Sequence, residues 1–343
     1  MTIDTAHPLQ PCWDLALSSV KAQALETAIR AGLLAVMETP SSAEALAARL
    51  ALHPASAQQL LDLLWSMGVV VRTDDAPNGD MPTYMLAPGL TSFLLRDGEH
   101  YYADALVHRL QSLRQQLPSL TEWLKLGAAA AAPPDGAAWA EAAQGKLAQE
   151  QVAVTVDVAL ACVKRLSGLA EQGRFLDLGG GPGKVGLALA RHLPSWHGVT
   201  FDLPAATAVA RHNVEQAGLA DRLRCRGGDL LRDDIGTGYD LIWCSSVLHF
   251  VPDLDTAVDR IRDALAPGGH FLSVHAELPA DRDGLGAVLP YYLPLIMRGH
   301  QVWKRGTLAR VVRERGLEVL DDVVLQGCPL TPAPLVIARR SAS

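Results

Sequence analysis

Residues 175 to 186 read FLDLGGGPGKVG, an apolar run holding an aspartate that opens into glycines ahead of a helical pattern. A strand that enters a glycine turn and leaves through a helix N-terminus is the first unit of a parallel α/β sheet. Glycines at that turn let backbone N–H groups approach a ligand closely. Short apolar runs at 174–178, 198–201, 223–226, 240–244 and 270–274 alternate with helical segments. Together they predict a doubly wound α/β sheet over residues 171–343, with ligands at the carboxyl ends of its strands.

The preceding third has another texture. Leu17, Val20, Ala24 and Ala28, then Ile29, Leu33 and Leu34, recur at helical spacing. Ser41-x-x-Glu44 is a capping box that predicts a helix over Ser42 to Leu50. A further helix opening at Ser56 carries Leu60, Leu61, Leu63, Leu64 and Met67 and stops at Gly68. Val69 to Val71 and Tyr84 to Leu86, around a polar turn, then predict a β-ribbon. Helices followed by a ribbon make a winged-helix pattern.

A winged helix raises the question of nucleic acid, and charge answers it. Residues 1–100 hold 11 acids against five bases, the chain carries a formal charge of −7, and the would-be reading helix SAQQLLDLLWSM has no Lys or Arg. Groove readers need basic and amide side chains there, so no nucleic-acid partner is expected. An apolar helix in an acidic domain packs against protein, which predicts a homodimer through this domain. Residues 99–126 are helical again, 127–137 form a Pro- and Gly-bearing connector, and a long helix from Ala138 to about Leu169 is predicted to link the halves. The expected organisation is 1–125, a winged-helix-like dimerisation domain; 126–170, connector and linking helix; and 171–343, the ligand-binding sheet.

Composition removes other classes. With 49% hydrophobic and 20% charged residues the chain is an ordinary globular one. Its five cysteines are scattered with no C-x-x-C pair, predicting neither a metal site nor a disulfide framework. The first residues lack a basic and an apolar export region, and no stretch of 18 apolar residues occurs. A cytoplasmic protein with no membrane partner is expected.

Gly181-x-Gly183-x-x-Gly186, with Asp202 21 residues after Gly181, matches a dinucleotide fingerprint. The flanks point elsewhere. Asp177 stands two residues ahead of the glycines, where a carboxylate repels a pyrophosphate; Asp202 closes the second strand and Asp229, in Gly228-Asp229-Leu230, the third. Three acids at successive strand ends suit a cationic adenosyl ligand, S-adenosylmethionine. Asp202 is placed for the ribose hydroxyls and Asp229 for the adenine amino group.

The segments FLDLGGGPGKVG, FDLPAA, GDLL, YDLIWCSSVLHFVPD and LAPGGHFL resemble, in order and spacing, the class I methyltransferases of the hydroxyindole and caffeic-acid O-methyltransferase type. The resemblance implies a Rossmann-like methyltransferase sheet behind a winged-helix dimerisation domain, a small-molecule acceptor, no metal, and S-adenosylmethionine held by Asp177, Gly179, Gly180, Gly181, Gly183, Asp202, Leu203, Gly228, Asp229, Leu230, Ser245 and Ser246. It implies that His249 takes the acceptor's proton. The family's Asp after that histidine is Phe250 here, and its Glu at the end of the fifth strand is His275. His275 or Glu277 is therefore expected to support the imidazole. Ser245 stands where the plant enzymes use a lysine. The acceptor pocket is expected from Tyr291, Tyr292, Met297, His300 and Trp303, with Trp139 and Gln149 from the linking helix. O-methylation of a hydroxylated aromatic or polyketide-like molecule is the expected reaction, with S-, N- or C-methylation, which needs no base for a thioether, as the alternative.

Overall fold

The computed structural model describes residues 7–73, 81–127, 145–329 and 333–342, and the chain divides into two units, Met1–Ser112 and Leu113–Ser343. The division falls within the helix Ala103–Gln116.

In the first unit, helices Gln10–Arg30, Ala43–Leu50 and Pro54–Ser66 precede a small sheet. Strands β1 (Ser41–Ser42), β2 (Val70–Thr73) and β3 (Thr83–Leu86) lie in the order β1-β3-β2, all antiparallel. The predicted ribbon is β2 and β3. The capping serine is displaced by one: Ser42 Oγ accepts the Ala45 N–H at 3.2 Å, while Ser41 and Ser42 pair in β1 opposite Tyr84 and Thr83. The next helix starts two residues ahead of Ser56, with Pro54 in its first turn and His53 Nδ1 accepting the Ser56 N–H. Leu33, Leu34, Met37, Leu46, Leu61, Leu64, Tyr84 and Leu86 form the core. Tyr84 donates to Asp62 at 2.6 Å and Arg72 pairs with the same carboxylate at 2.9 Å, tying the ribbon to the helix. Leu17 and Val20 depart from the expected buried stripe. They are exposed, since this core meets the first helix only towards its C-terminal end, at Leu25, Ala28 and Ile29.

The second unit holds a seven-stranded sheet: β4 (Arg174–Leu178), β5 (His197–Asp202), β6 (Leu223–Gly227), β7 (Tyr239–Ser245), β8 (Leu265–Val274), β9 (Leu317–Leu325) and β10 (Ala333–Arg340), in the order β6-β5-β4-β7-β8-β10-β9. The first five are parallel, as expected; β10 pairs antiparallel with both β8 and β9. This last hairpin was not anticipated. Apolar cores cover the sheet on both faces. Register brings Asp202 opposite Gly227 and Leu178 opposite both Phe201 and Cys244, so β4 to β7 end along one line. The linking helix ends at Val163, short of the predicted Leu169, and the start predicted at Ala138 lies outside the described residues. It runs as Lys146–Glu150, a π-turn over Gln151–Thr155, and Val156–Val163.

Candidate functional site

The β4 strand ends at Leu178 and the chain turns at Gly179 with φ +70°, where a side chain would also run into Val247. Gly183, φ +76°, caps the helix Lys184–His192. Asp177 is not displayed at this turn. It is buried, and its Oδ2 accepts the Gly186 N–H at 2.9 Å and the Thr200 hydroxyl at 3.4 Å. Burial pushes its carboxyl up to about 7, against the Gly186 N–H and reinforced by the charge of Asp202. Asp177 is therefore an internal brace of the glycine loop.

Asp202 faces the loop. Its Oδ2 accepts the Gly181 N–H at 2.7 Å and its Oδ1 the Leu203 N–H at 2.6 Å. Burial raises its carboxyl above the ordinary range, with the two N–H groups opposing. Each oxygen keeps a second lone pair. Leu203, 41% exposed, stands beside it as an apolar surface. Asp229 Oδ1 accepts the Leu231 N–H at 2.8 Å, and the Gly228 N–H donates to the Asp202 carbonyl at 2.9 Å. Leu230 points into the sheet's core, so the expected donor contact is not through its side chain. Ser246, next to Ser245 at the end of β7, has φ +57°, a strained conformation for a residue with a side chain. Carboxylate acceptors and an apolar face at adjoining strand ends fit ribose hydroxyls and a flat base.

Gln151 was missed in the sequence. From the π-turn its Nε2–H donates to the Gly180 carbonyl and its Oε1 accepts the Lys184 N–H, both at 3.0 Å. Gln149 lies half-buried two residues earlier on the same helix. Trp139 falls outside the described residues.

His249 occupies a short 3₁₀ turn, Leu248–Phe250, just after β7. It is 2% exposed. Its Nδ1 lies 2.8 Å from the Gln301 carbonyl oxygen, and the Gln301 N–H donates back to the His249 carbonyl at 3.1 Å. A carbonyl only accepts, so Nδ1 carries the proton and Nε2 the lone pair. Nε2 is buried with no hydrogen-bond partner. Burial pushes the imidazole down to about 4; the Gln301 carbonyl acts against this and His300 with it.

The expected support for this ring comes from neither candidate. His275, directly after β8, uses Nε2 to accept the N–H groups of Val247 and Leu248 at 3.0 and 2.9 Å, and its Nδ1–H donates to Ser273 Oγ at 2.7 Å. Both nitrogens are engaged, and burial holds the ring neutral, well below the usual histidine range. His275 fastens the turn that carries His249. Glu277 is turned the other way: it accepts the Gly306 and Leu308 N–H groups, each at 2.8 Å, capping the helix Thr307–Glu314, and pairs with Arg305 at 3.2 Å.

Three rings surround His249: His275 edge-on at 5.3 Å, Tyr292 at 5.5 Å and Trp303 at 5.3 Å between centroids. Tyr291 packs on Tyr292 at 4.9 Å and His300 on Phe250 at 5.1 Å. Tyr291, Tyr292 and the half-buried Met297 belong to the helix Arg282–Met297, which passes Pro290 and Pro294 unbroken. Thus His249, His275, Tyr292 and Trp303 meet, Tyr291 and His300 flank them, and Glu277 stands apart. Among the described residues no group of three or more His, Cys, Asp or Glu could hold a metal ion, and no helix is long and apolar enough to cross a membrane.

Comparison with known proteins finds two family models. A methyltransferase domain matches residues 149–322 and an O-methyltransferase dimerisation domain matches residues 13–116. The chain is 27% identical over 296 residues to the 3-hydroxy-5-methyl-1-naphthoate 3-O-methyltransferase of Streptomyces sahachiroi, covering 80% of this chain and 79% of that one. It is 27% identical over 259 residues to the N,N-dimethyltransferase OxyT of Streptomyces rimosus, covering 73% of each. Human N-acetylserotonin methyltransferase, solved in complex with SAM, shares the fold with TM-score 0.77 at 18% identity, over 99% of this chain and 100% of that one.

Proposed function

Because the chain belongs to the S-adenosylmethionine-dependent methyltransferases of the hydroxyindole and caffeic-acid O-methyltransferase type, we propose that it methylates the hydroxyl oxygen of a polycyclic or polyketide-like aromatic small molecule. The observation that carries this reading is the unpaired Nε2 of His249, a buried lone pair aimed by a fixed tautomer. A hydroxyl within hydrogen-bond reach of Nε2 loses its proton to it as the oxygen becomes the nucleophile, while the Gln301 carbonyl holds Nδ1–H in place. Tyr292 and Trp303 present aromatic faces against which a flat acceptor stacks. Asp202, with the Gly181 and Leu203 N–H groups pinned to it, and the apolar Leu203 hold the adenosyl part of the donor. S-adenosylmethionine supplies an electrophilic methyl group on a sulfonium, so the protein's remaining task is alignment. Asp177 acts through the loop by bracing Gly186.

The naphthoate 3-O-methyltransferase supports the aromatic hydroxyl acceptor. The dimethyltransferase relative favours an amine as the second reading, for which an unprotonated nitrogen needs no base. The dimerisation-domain match and the exposed apolar face of the first helix support a homodimer. The test is incubation with methyl-labelled donor and a panel of hydroxynaphthoates, hydroxyquinones and arylamines. O-methyl products that fall by 10²-fold or more in His249→Ala, with S-adenosylhomocysteine affinity intact, are expected. Products methylated only on nitrogen, or turnover indifferent to His249, overturn it.

A further inference from the structure

We infer that Gln151 is the residue that adapts this glycine loop to a phosphate-free adenosyl donor, occupying the helix-start N–H, that of Lys184, at which a pyrophosphate would bind. The inference rests on the donor reading above. The loop carries the glycine spacing and the following acid of a dinucleotide site, so something other than the glycines must set its selectivity. In such sites the free N–H groups where the loop becomes a helix receive the pyrophosphate. Here three N–H groups of the loop and the first helical turn are engaged. The N–H of Lys184, the first residue of its helix, goes to Gln151 Oε1; that of Gly186 goes to Asp177; that of Gly181 goes to Asp202.

Asp177 and Asp202 are on the sheet itself, whereas Gln151 reaches the loop from a separate helix. Its amide spans the loop, with Nε2 on the Gly180 carbonyl and Oε1 on the Lys184 N–H, and Nε2 is the nearest atom to the position of a side chain at Gly181, 3.7 Å away. The approach depends on the π-turn at Gln151–Thr155. Such turns insert one residue into a helix and gather at functional sites. An amide carries a donor and an acceptor on one planar group, which lets Gln151 meet a carbonyl and an N–H at once. A carboxylate in its place would face the Gly180 carbonyl oxygen with a negative charge, and an apolar side chain would leave the Lys184 N–H open.

The experiment is calorimetric titration of the full-length protein and of Gln151→Ala, Gln151→Met and Gln151→Glu with S-adenosylhomocysteine and, separately, with ADP, alongside thermal melting. The ratio of S-adenosylhomocysteine to ADP affinity is expected to fall about tenfold or more in Gln151→Ala and Gln151→Met, by weaker binding of the first and stronger binding of the second, the size of one or two hydrogen bonds. Gln151→Glu is expected to lose S-adenosylhomocysteine affinity without gaining ADP. A ratio within twofold of the unsubstituted protein in either Gln151→Ala or Gln151→Met overturns the inference. Gln151→Met keeps the volume of the side chain, so a melting temperature preserved in that variant separates selectivity from folding. Failure of the unsubstituted protein to bind S-adenosylhomocysteine would instead strike the donor reading.

Discussion

The carbonyl oxygen of Gln301 accepts the Nδ1 proton of His249 across 2.8 Å, so a neutral backbone group holds the position in which a carboxylate would stabilise an imidazolium. Orientation is kept and charge support is given up. Histidine nitrogen chemical shifts in ¹⁵N-labelled protein are expected to show His249 as the Nδ1–H tautomer from pH 8 down to about 5, protonating only near the depressed value of about 4. An Nε2–H tautomer, or a midpoint near 6.5, would contradict this arrangement.

Two buried groups make stability depend on pH in opposite senses. The folded pKa of His249 is depressed from 6.5 to about 4, so its contribution is present above 6.5 and is lost as pH falls towards 4. That of Asp177 is raised from 3.8 to about 7, so its contribution is present below 3.8 and is lost as pH rises through 7. Between pH 4.5 and 6.5 the slopes oppose, each worth roughly 2 to 3 kcal/mol. Relative to the unsubstituted protein, His249→Phe should become less stable with rising pH over that window and Asp177→Asn more stable. Urea unfolding at the two pH values measures both, and parallel curves for all three proteins would refute the assignment.

His275→Leu removes the acceptor for two N–H groups, the half-buried one of Val247 and the buried one of Leu248. Each unpaired donor costs about 1 to 3 kcal/mol, and the turn bearing His249 loses its anchor. Denaturant unfolding should report a loss of about 2 to 5 kcal/mol. A change below 1 kcal/mol would show that His275 does not hold the turn.

Glu277→Ala separates scaffold from chemistry. The carboxylate is 1% exposed and serves two N–H groups and Arg305, which keeps Asp322 as a second partner. Removal should destabilise by about 3 kcal/mol while the pH profile of kcat/KM stays where it was. A shifted profile would return Glu277 to the neighbourhood of the base.

Much of this was legible beforehand. The glycine loop, five parallel strands and the placing of His249 after a strand are carried by short, local patterns: an apolar run into glycines, or a histidine three residues past the serine pair that follows an apolar run. What escaped was long-range. Gln301 orients His249 through its main chain, 52 residues away, and any residue has a carbonyl. Gln151 reaches the loop only because a π-turn interrupts the helical period. His275 and Glu277 are the right types near the right place, and only the hydrogen bonds they make assign them to the turn and to a helix cap. The β9–β10 hairpin was missed because β9 alternates with charged residues and lies at the sheet edge, where burial leaves little trace.

The first helix makes the last prediction. Leu9 precedes it, and Trp13, Leu17 and Val20 follow at helical intervals, exposed at 55, 62, 47 and 56%. They form one apolar stripe on the N-terminal half, beyond the reach of the unit's own core. A stripe of this kind left in water favours self-association, and a symmetric pair buries both copies at once. Sedimentation velocity should therefore find a dimer for the unsubstituted protein and a monomer for Trp13→Asp/Leu17→Asp, with helical circular dichroism unchanged because neither side chain contributes to the core. A double variant that stays dimeric would place the interface on another surface of the dimerisation domain, and a monomeric parent protein would remove the homodimer altogether.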